Sequence, residues 1–267
     1  MFNSRRGGMQ MPPVVLNLII INVVVFIAQN LMHGRLDDLF ALHYWHSPLF
    51  RWWQLFTHMF MHGSELHIFS NMFALFMFGR VLEQSLGPRR FLMFYLICGL
   101  GAAFCHLSVL SLQFGSFHDA FVHYQQHPTL QEYAQMLQKG KVTHPVFGTI
   151  LSHWSDNPTC PDCAQVSIMK LNEYFTGLIN EPTVGASGAV FGLLFAFGYM
   201  YPNVELMLLF PPIPIKAKWF VAGYAVFELF AGVKNSVGDN IAHFAHLGGM
   251  LFAFILIRVW HIRRSMW

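Results

Sequence analysis

The chain has 267 residues, 55% hydrophobic and only 11% charged, with a formal net charge of +3. Soluble domains run about 45–50% apolar and ~25% charged, so these values exclude disorder, a coiled coil and a soluble enzyme with an ordinary charged surface. The small net charge offers no electrostatic footprint for nucleic acid, and four cysteines are too few for a disulfide scaffold.

A membrane-spanning helix needs about 20 apolar residues, and the chain supplies six candidate runs. The first is Pro13 to Met32, which lacks a small-residue cleavage site and reads as a retained helix. The second covers His67 to Val81 and extends to Leu86, and the third Phe91 to Leu112. The fourth starts at Ser187 and ends at Tyr201-Pro202, the fifth runs from Lys218 to Ala231, and the sixth from Ile241 to Trp260. Between the first two, Gly34 to His62 carries Trp45, Trp52 and Trp53 among polar residues. That pattern predicts short helices lying in the membrane interface. Between the third and fourth, Gln113 to Pro182 is a polar insertion. Two amphipathic helices are expected there, one from the spacing of Leu130, Tyr133, Met136 and Leu137, the other from that of Ile168, Leu171, Phe175 and Leu178.

With six spans and a cytoplasmic N-terminus, ten of the sixteen basic residues fall in short inner segments: Arg5, Arg6, Arg80, Arg89, Arg90, Lys216, Lys218, Arg258, Arg263 and Arg264. The other six scatter through the longer outer loops, which is the positive-inside pattern. Both termini are then cytoplasmic. The expected organisation is 1–112 (N-terminal segment, spans one to three and the interfacial loop), 113–182 (extracytoplasmic insertion) and 183–267 (spans four to six and a basic tail).

Polar groups in a bilayer core are costly, and each is a functional candidate by default. Gly185-Ala186-Ser187-Gly188 puts a serine at the start of a helical run, where unpaired N–H groups and the helix dipole favour a developing negative charge. The plain alternative is an N-cap serine. His246 lies about one turn inside the sixth run, and a histidine there can be merely packed; His243 is the expected solvent-facing partner. His67 and Asn71 share one helix face and suit an oxyanion hole, the alternative being interhelical hydrogen bonds. His58 and His62 are spaced for a shared metal, but no third ligand is apparent. The serine, His246 and the His67–Asn71 pair fall at one depth when the spans alternate in direction. Gly188, Gly192 and Ala196 recur every four residues, as do Ala245, Gly249 and Ala253. Two such small-residue seams facing each other would bring Ser187 and His246 within reach. Cys160 and Cys163 are read as an isolated pair or a local disulfide, with redox or zinc roles as alternatives.

These residues resemble the rhomboid family of intramembrane serine proteases. The resemblance rests on Gly185-Ala186-Ser187-Gly188, Ala245-His246-x-x-Gly249, His62-x4-His67-x3-Asn71, and Gly79-x-x-x-Glu83 with Gly87 and Arg90. It implies an all-α membrane protein: a six-transmembrane-helix, rhomboid-like bundle with an interfacial first loop, here bearing a helical extracytoplasmic insertion. It implies Ser187 as nucleophile, His246 as general base and acid, and His67, Asn71 and the Ser187 N–H as oxyanion donors. Phe191, one turn below Ser187, takes the position of the aromatic that packs on the histidine ring. The chain departs from the family pattern in having Ala253 where Gly is frequent, and in the length of its insertion.

The expected activity is hydrolysis of peptide bonds in or next to transmembrane segments of single-pass or other membrane-protein substrates. It would proceed by a Ser–His dyad, since no Asp is placed to orient the histidine, and needs no cofactor, metal or nucleic acid. Membrane lipid is the expected surrounding and a bacterial inner membrane the expected location. His-Glu-x-x-His is absent and every Asp falls in an outer loop, so zinc and aspartyl intramembrane proteases do not fit. The competing readings are a non-catalytic rhomboid-like binder of membrane helices and a small transporter using Glu228 and the histidines.

Overall fold

The computed structural model describes residues 11–33, 35–207, 212–234 and 241–264. Arg5, Arg6 and Gly34, named above, lie outside them, as does Asp239 among the aspartates. Helix α1 (Pro13–Leu31) opens on a proline at its first position, where the missing N–H costs nothing. Its next two amides, of Val14 and Val15, donate to the Glu83 carboxylate at 3.1 and 2.8 Å. A buried acid from another helix thus caps α1, which gives Glu83 a structural reason to be there. The first loop holds two short α-helices, α2 (Asp37–Phe40) and α3 (Gln54–Thr57), the second continued by a 3-10 turn (His58–Phe60). Buried Gln54 knits the loop: it accepts from the His43 and Arg51 amides and donates to the Asp38 and Leu49 carbonyls. Trp52 stays exposed.

The second run is a helix in three parts: α4 (Glu65–Ala74), a π-helical turn (Leu75–Gly79) and α5 (Arg80–Leu86). Ser64 caps α4 by accepting from the His67 N–H, so the helix starts two residues before the expected His67. Gly87 (φ 79°) then reverses the chain, and Pro88 opens α6.

Helix α6 (Pro88–Gln126) is 39 residues long and passes through the expected boundary at Leu112–Gln113 without a break. The apolar run ends at Leu112, but Phe114, Phe117, Phe121 and Tyr124 continue a buried helical stripe beyond it. The insertion proper holds three further helices, not two: α7 (Leu130–Lys139), α8 (Pro145–Asp156) and α9 (Cys163–Ile179). Thr129 caps α7, and the Cys160–Cys163 pair is a disulfide beside the start of α9. Phe117, Phe121, Tyr133, Met136, Phe147, Trp154 and Leu171 form a hydrophobic core of their own. A third cluster, with Leu42, Tyr44, Leu107 and Phe114 at its centre and Phe175 and Leu178 against it, joins the insertion to the first loop.

Helix α10 (Ser187–Met200) follows, then a small antiparallel hairpin of β1 (Glu205–Met207) and β2 (Pro214–Lys216), which the sequence reading left out. Helices α11 (Ala217–Lys234) and α12 (Ile241–Val259) complete the bundle. The main core lies among α1, α4, α5, α6, α10 and α12, with Leu75, Phe91, Phe94, Leu193 and Ala253 fully buried. Outward faces of α1, α11 and α12 expose apolar residues such as Val24, Trp219, Phe230 and Ile255, a surface matched to lipid rather than water. Helices α1 and α6 are long and apolar enough to cross a membrane, while α10 and residues 243–259 of α12 are apolar but shorter.

Candidate active site

Ser187 is the first residue of α10. The approach to it is fixed by three strand-like or polar ties: Leu42 and Thr183 exchange backbone hydrogen bonds, Thr183 Oγ1 meets His106 Nε2 at 3.0 Å, and the Gly185 N–H donates to the His58 carbonyl. Gly185 has φ 129°, and a Cβ there would lie 2.8 Å from His67 Nε2 and 3.5 Å from Ser187 Oγ. The glycine is therefore required twice, by its backbone conformation and by the two side chains that converge on it.

His246 stands in the second turn of α12, and its Nε2 lies 2.9 Å from Ser187 Oγ. Phe191, one turn along α10, stacks on the imidazole with ring centres 4.0 Å apart and planes 7° from parallel. Tyr224 of α11 meets the edge of Phe191. The seams explain the close approach of the two helices. A Cβ on Gly249 would sit 1.8 Å from the Gly188 carbonyl oxygen, and one on Gly192 would be 3.0 Å from the Gly249 oxygen and 2.7 Å from Cys98. Gly188 itself faces Ala102 of α6, 2.4 Å from where its Cβ would be. Ala253 is fully buried. Asn71 is buried on α4, and its Nδ2 finds no hydrogen-bond partner among the described residues. A buried amide donor left so is costly in an ordinary core.

Two sequence expectations are corrected. With no Asp placed to orient the histidine a bare dyad was expected, yet Glu228 of α11 brings its Oε1 to 3.1 Å from His246 Nδ1. The approach is close but out of line for a straight hydrogen bond. His243 does not face solvent alone: its Nδ1 is hydrogen-bonded to the other Glu228 oxygen. The signal was present, an acid in an apolar run, but not the partner it faces. As for the paired histidines of the first loop, His58 Nδ1 is held by the Gln54 carbonyl at 2.9 Å and the His62 ring packs against His67. Burial pushes both imidazoles below the ordinary histidine range, so they stay neutral at physiological pH.

Among the described residues two groups have three metal-ligating atoms within 4.8 Å of one another: His153 with Cys160 and Cys163, and Glu228 with His243 and His246. The first has its sulfurs joined in the disulfide, and a thiolate is what binds a metal.

The sequence matches the Rhomboid domain over residues 49–117 and 145–263, well over half of the chain. The chain belongs to the rhomboid family. Rhomboids are integral membrane proteins, and intramembrane proteolysis is the activity general to the family. An uncharacterized mitochondrial rhomboid protein of Schizosaccharomyces pombe is 25% identical over 81% of this chain and 53% of its own length. The mitochondrial RHOMBOID-like protein 6 of Arabidopsis thaliana is 43% identical over 23% of this chain and 19% of its own. The rhomboid protease AarA of Providencia stuartii is 30% identical over 33% and 34%. The chain spans about half or less of the length of these relatives. The gap in the Rhomboid match, 118–144, covers the far end of α6, all of α7 and the link to α8.

Proposed function

We propose that this chain is an intramembrane serine endopeptidase that cuts peptide bonds in or next to the transmembrane segments of membrane-protein substrates. The observation that carries the reading is the 2.9 Å contact between Ser187 Oγ and His246 Nε2, with the imidazole clamped by Phe191. In this reading His246 takes the hydroxyl proton as Ser187 Oγ attacks the scissile carbonyl carbon. The carbonyl oxygen becomes an oxyanion. It is met by the Ser187 N–H, free at the start of α10, by the Asn71 amide and by His67. His246 then passes its proton to the leaving amine, and water hydrolyses the acyl-enzyme by the same route in reverse. Fixed donors in a site of low dielectric are worth about 100–1000-fold in rate each.

Six spans with both termini cytoplasmic remain our topology. The apolar runs and the distribution of basic residues support it. The insertion then lies on the far side with the mouth of the site. Two of the relatives named above are mitochondrial, which counts against the bacterial inner membrane expected from sequence; we assign an integral membrane location.

The decisive experiment is labelling of the purified protein with a fluorophosphonate, which reports an activated hydroxyl without a known substrate. Wild type should label, and Ser187→Ala and His246→Ala should not. Equal labelling of Ser187→Ala would end the assignment. Specific capture of transmembrane helices without cleavage would favour the binder reading instead.

A further inference from the structure

We propose that Glu228 is a positioning residue for His246, so that the site works as a Ser–His–Glu set rather than as a bare pair. The inference rests on the serine protease reading above and deepens it.

Glu228 is 3% exposed on a helix whose neighbouring residues, Val226, Phe227, Leu229 and Phe230, are apolar. A carboxylate is expensive there unless it is paired. Its two oxygens are divided between two imidazoles. Oε2 is hydrogen-bonded to His243 Nδ1, and Oε1 lies 3.1 Å from His246 Nδ1. His243 and His246 are three residues apart and so share one face of α12. His246 is thus spanned: its Nε2 faces Ser187 and its Nδ1 faces the carboxylate. Gly232, one turn beyond Glu228, lies where the two helices meet beside this cluster. A Cβ there would come within 3.0 Å of Phe244 and 3.3 Å of the His243 Cβ.

The chemistry follows from the tautomer. A carboxylate at Nδ1 favours the proton on that nitrogen and leaves the Nε2 lone pair toward Ser187, the form a general base needs. When Nε2 takes the serine proton, the ring becomes a cation 3.1 Å from the carboxylate. The proton stays on Nε2 and leaves with the amine; Glu228 is not itself protonated. The imperfect alignment in the resting site is common for catalytic hydrogen bonds, which tighten when substrate binds. His243 holds the other oxygen and so keeps the carboxylate turned toward His246.

The test uses the full chain in proteoliposomes with a transmembrane-peptide reporter and the fluorophosphonate. Glu228→Gln should lower kcat by about 100-fold with KM within about twofold, and slow labelling in parallel. Glu228→Asp should recover about tenfold over Glu228→Gln, because it restores the charge. Wild-type labelling and turnover in Glu228→Gln, with His246→Ala inactive, would overturn this proposal and leave the Ser–His pair standing. Activity surviving in His246→Ala would instead overturn the reading beneath it. If Glu228→Gln does not fold, Gly232→Val crowds Phe244 and the His243 Cβ with the carboxylate still present, and is expected to shift His243 and with it the carboxylate. It should show the same loss of kcat, and full turnover in it would sink the proposal.

Discussion

Gly185 concentrates the residue-scale constraints of the site. Its φ of 129° strains any side chain, and the first atom of one would press on His67 Nε2 at 2.8 Å. Gly185→Ala should therefore displace His67 and the turn that delivers Ser187, costing roughly 1–3 kcal/mol in backbone strain and at least about 100-fold in labelling rate. A variant that labels like wild type would show that the turn tolerates a methyl and that His67 is not held by it. Ser187 and His246 could be picked out of the sequence because each is a polar residue directly beside a small-residue seam in an apolar run, whereas Phe191 came from the family resemblance. Glu228 could not be paired from sequence. The residue is conspicuous in an apolar run, but what it faces depends on how α11 and α12 are rotated about their axes, which one-dimensional spacing does not fix.

Helices α10 and α12 owe their contact to glycine at the level of whole elements. A Cβ at Gly249 would meet the Gly188 carbonyl at 1.8 Å, and backbone, unlike the end of a flexible side chain, cannot yield. Gly249→Val should therefore still enter the membrane, since its run stays apolar, while losing Ser187 labelling. Equal membrane yield with unchanged labelling would refute the seam. The main helices were legible because a long apolar run is a strong signal. The misses have local causes. The β1–β2 hairpin pairs only three residues on each side, too few for a period to register. Helix α8 carries Phe147, Ile150, Leu151 and Trp154 at helical spacing, but is short and interrupted by polar residues. Gln113 looked like a boundary because hydropathy falls there, although the buried aromatic stripe runs on to Tyr124.

At the scale of the molecule there are two main centres of burial, the bundle core and the core of the insertion. Trp154 is 6% exposed in the second. Trp154→Ala should cost that core about 3–5 kcal/mol. It should hasten proteolytic nicking between residues 127 and 162 while leaving Ser187 labelling within about twofold. Loss of labelling in step with nicking would mean that the two cores fold as one. What joins them is α6: at 1.5 Å per residue its 39 residues reach about 58 Å, nearly twice the ~30 Å of a hydrocarbon layer. Cys98, Ala102 and Cys105 on this same helix lie against Gly192, Gly188 and Gly248, the small residues on which α10 and α12 close. One rod thus serves both centres: its near half packs the floor against which nucleophile and base are held, and its far half is a wall of the outlying lobe.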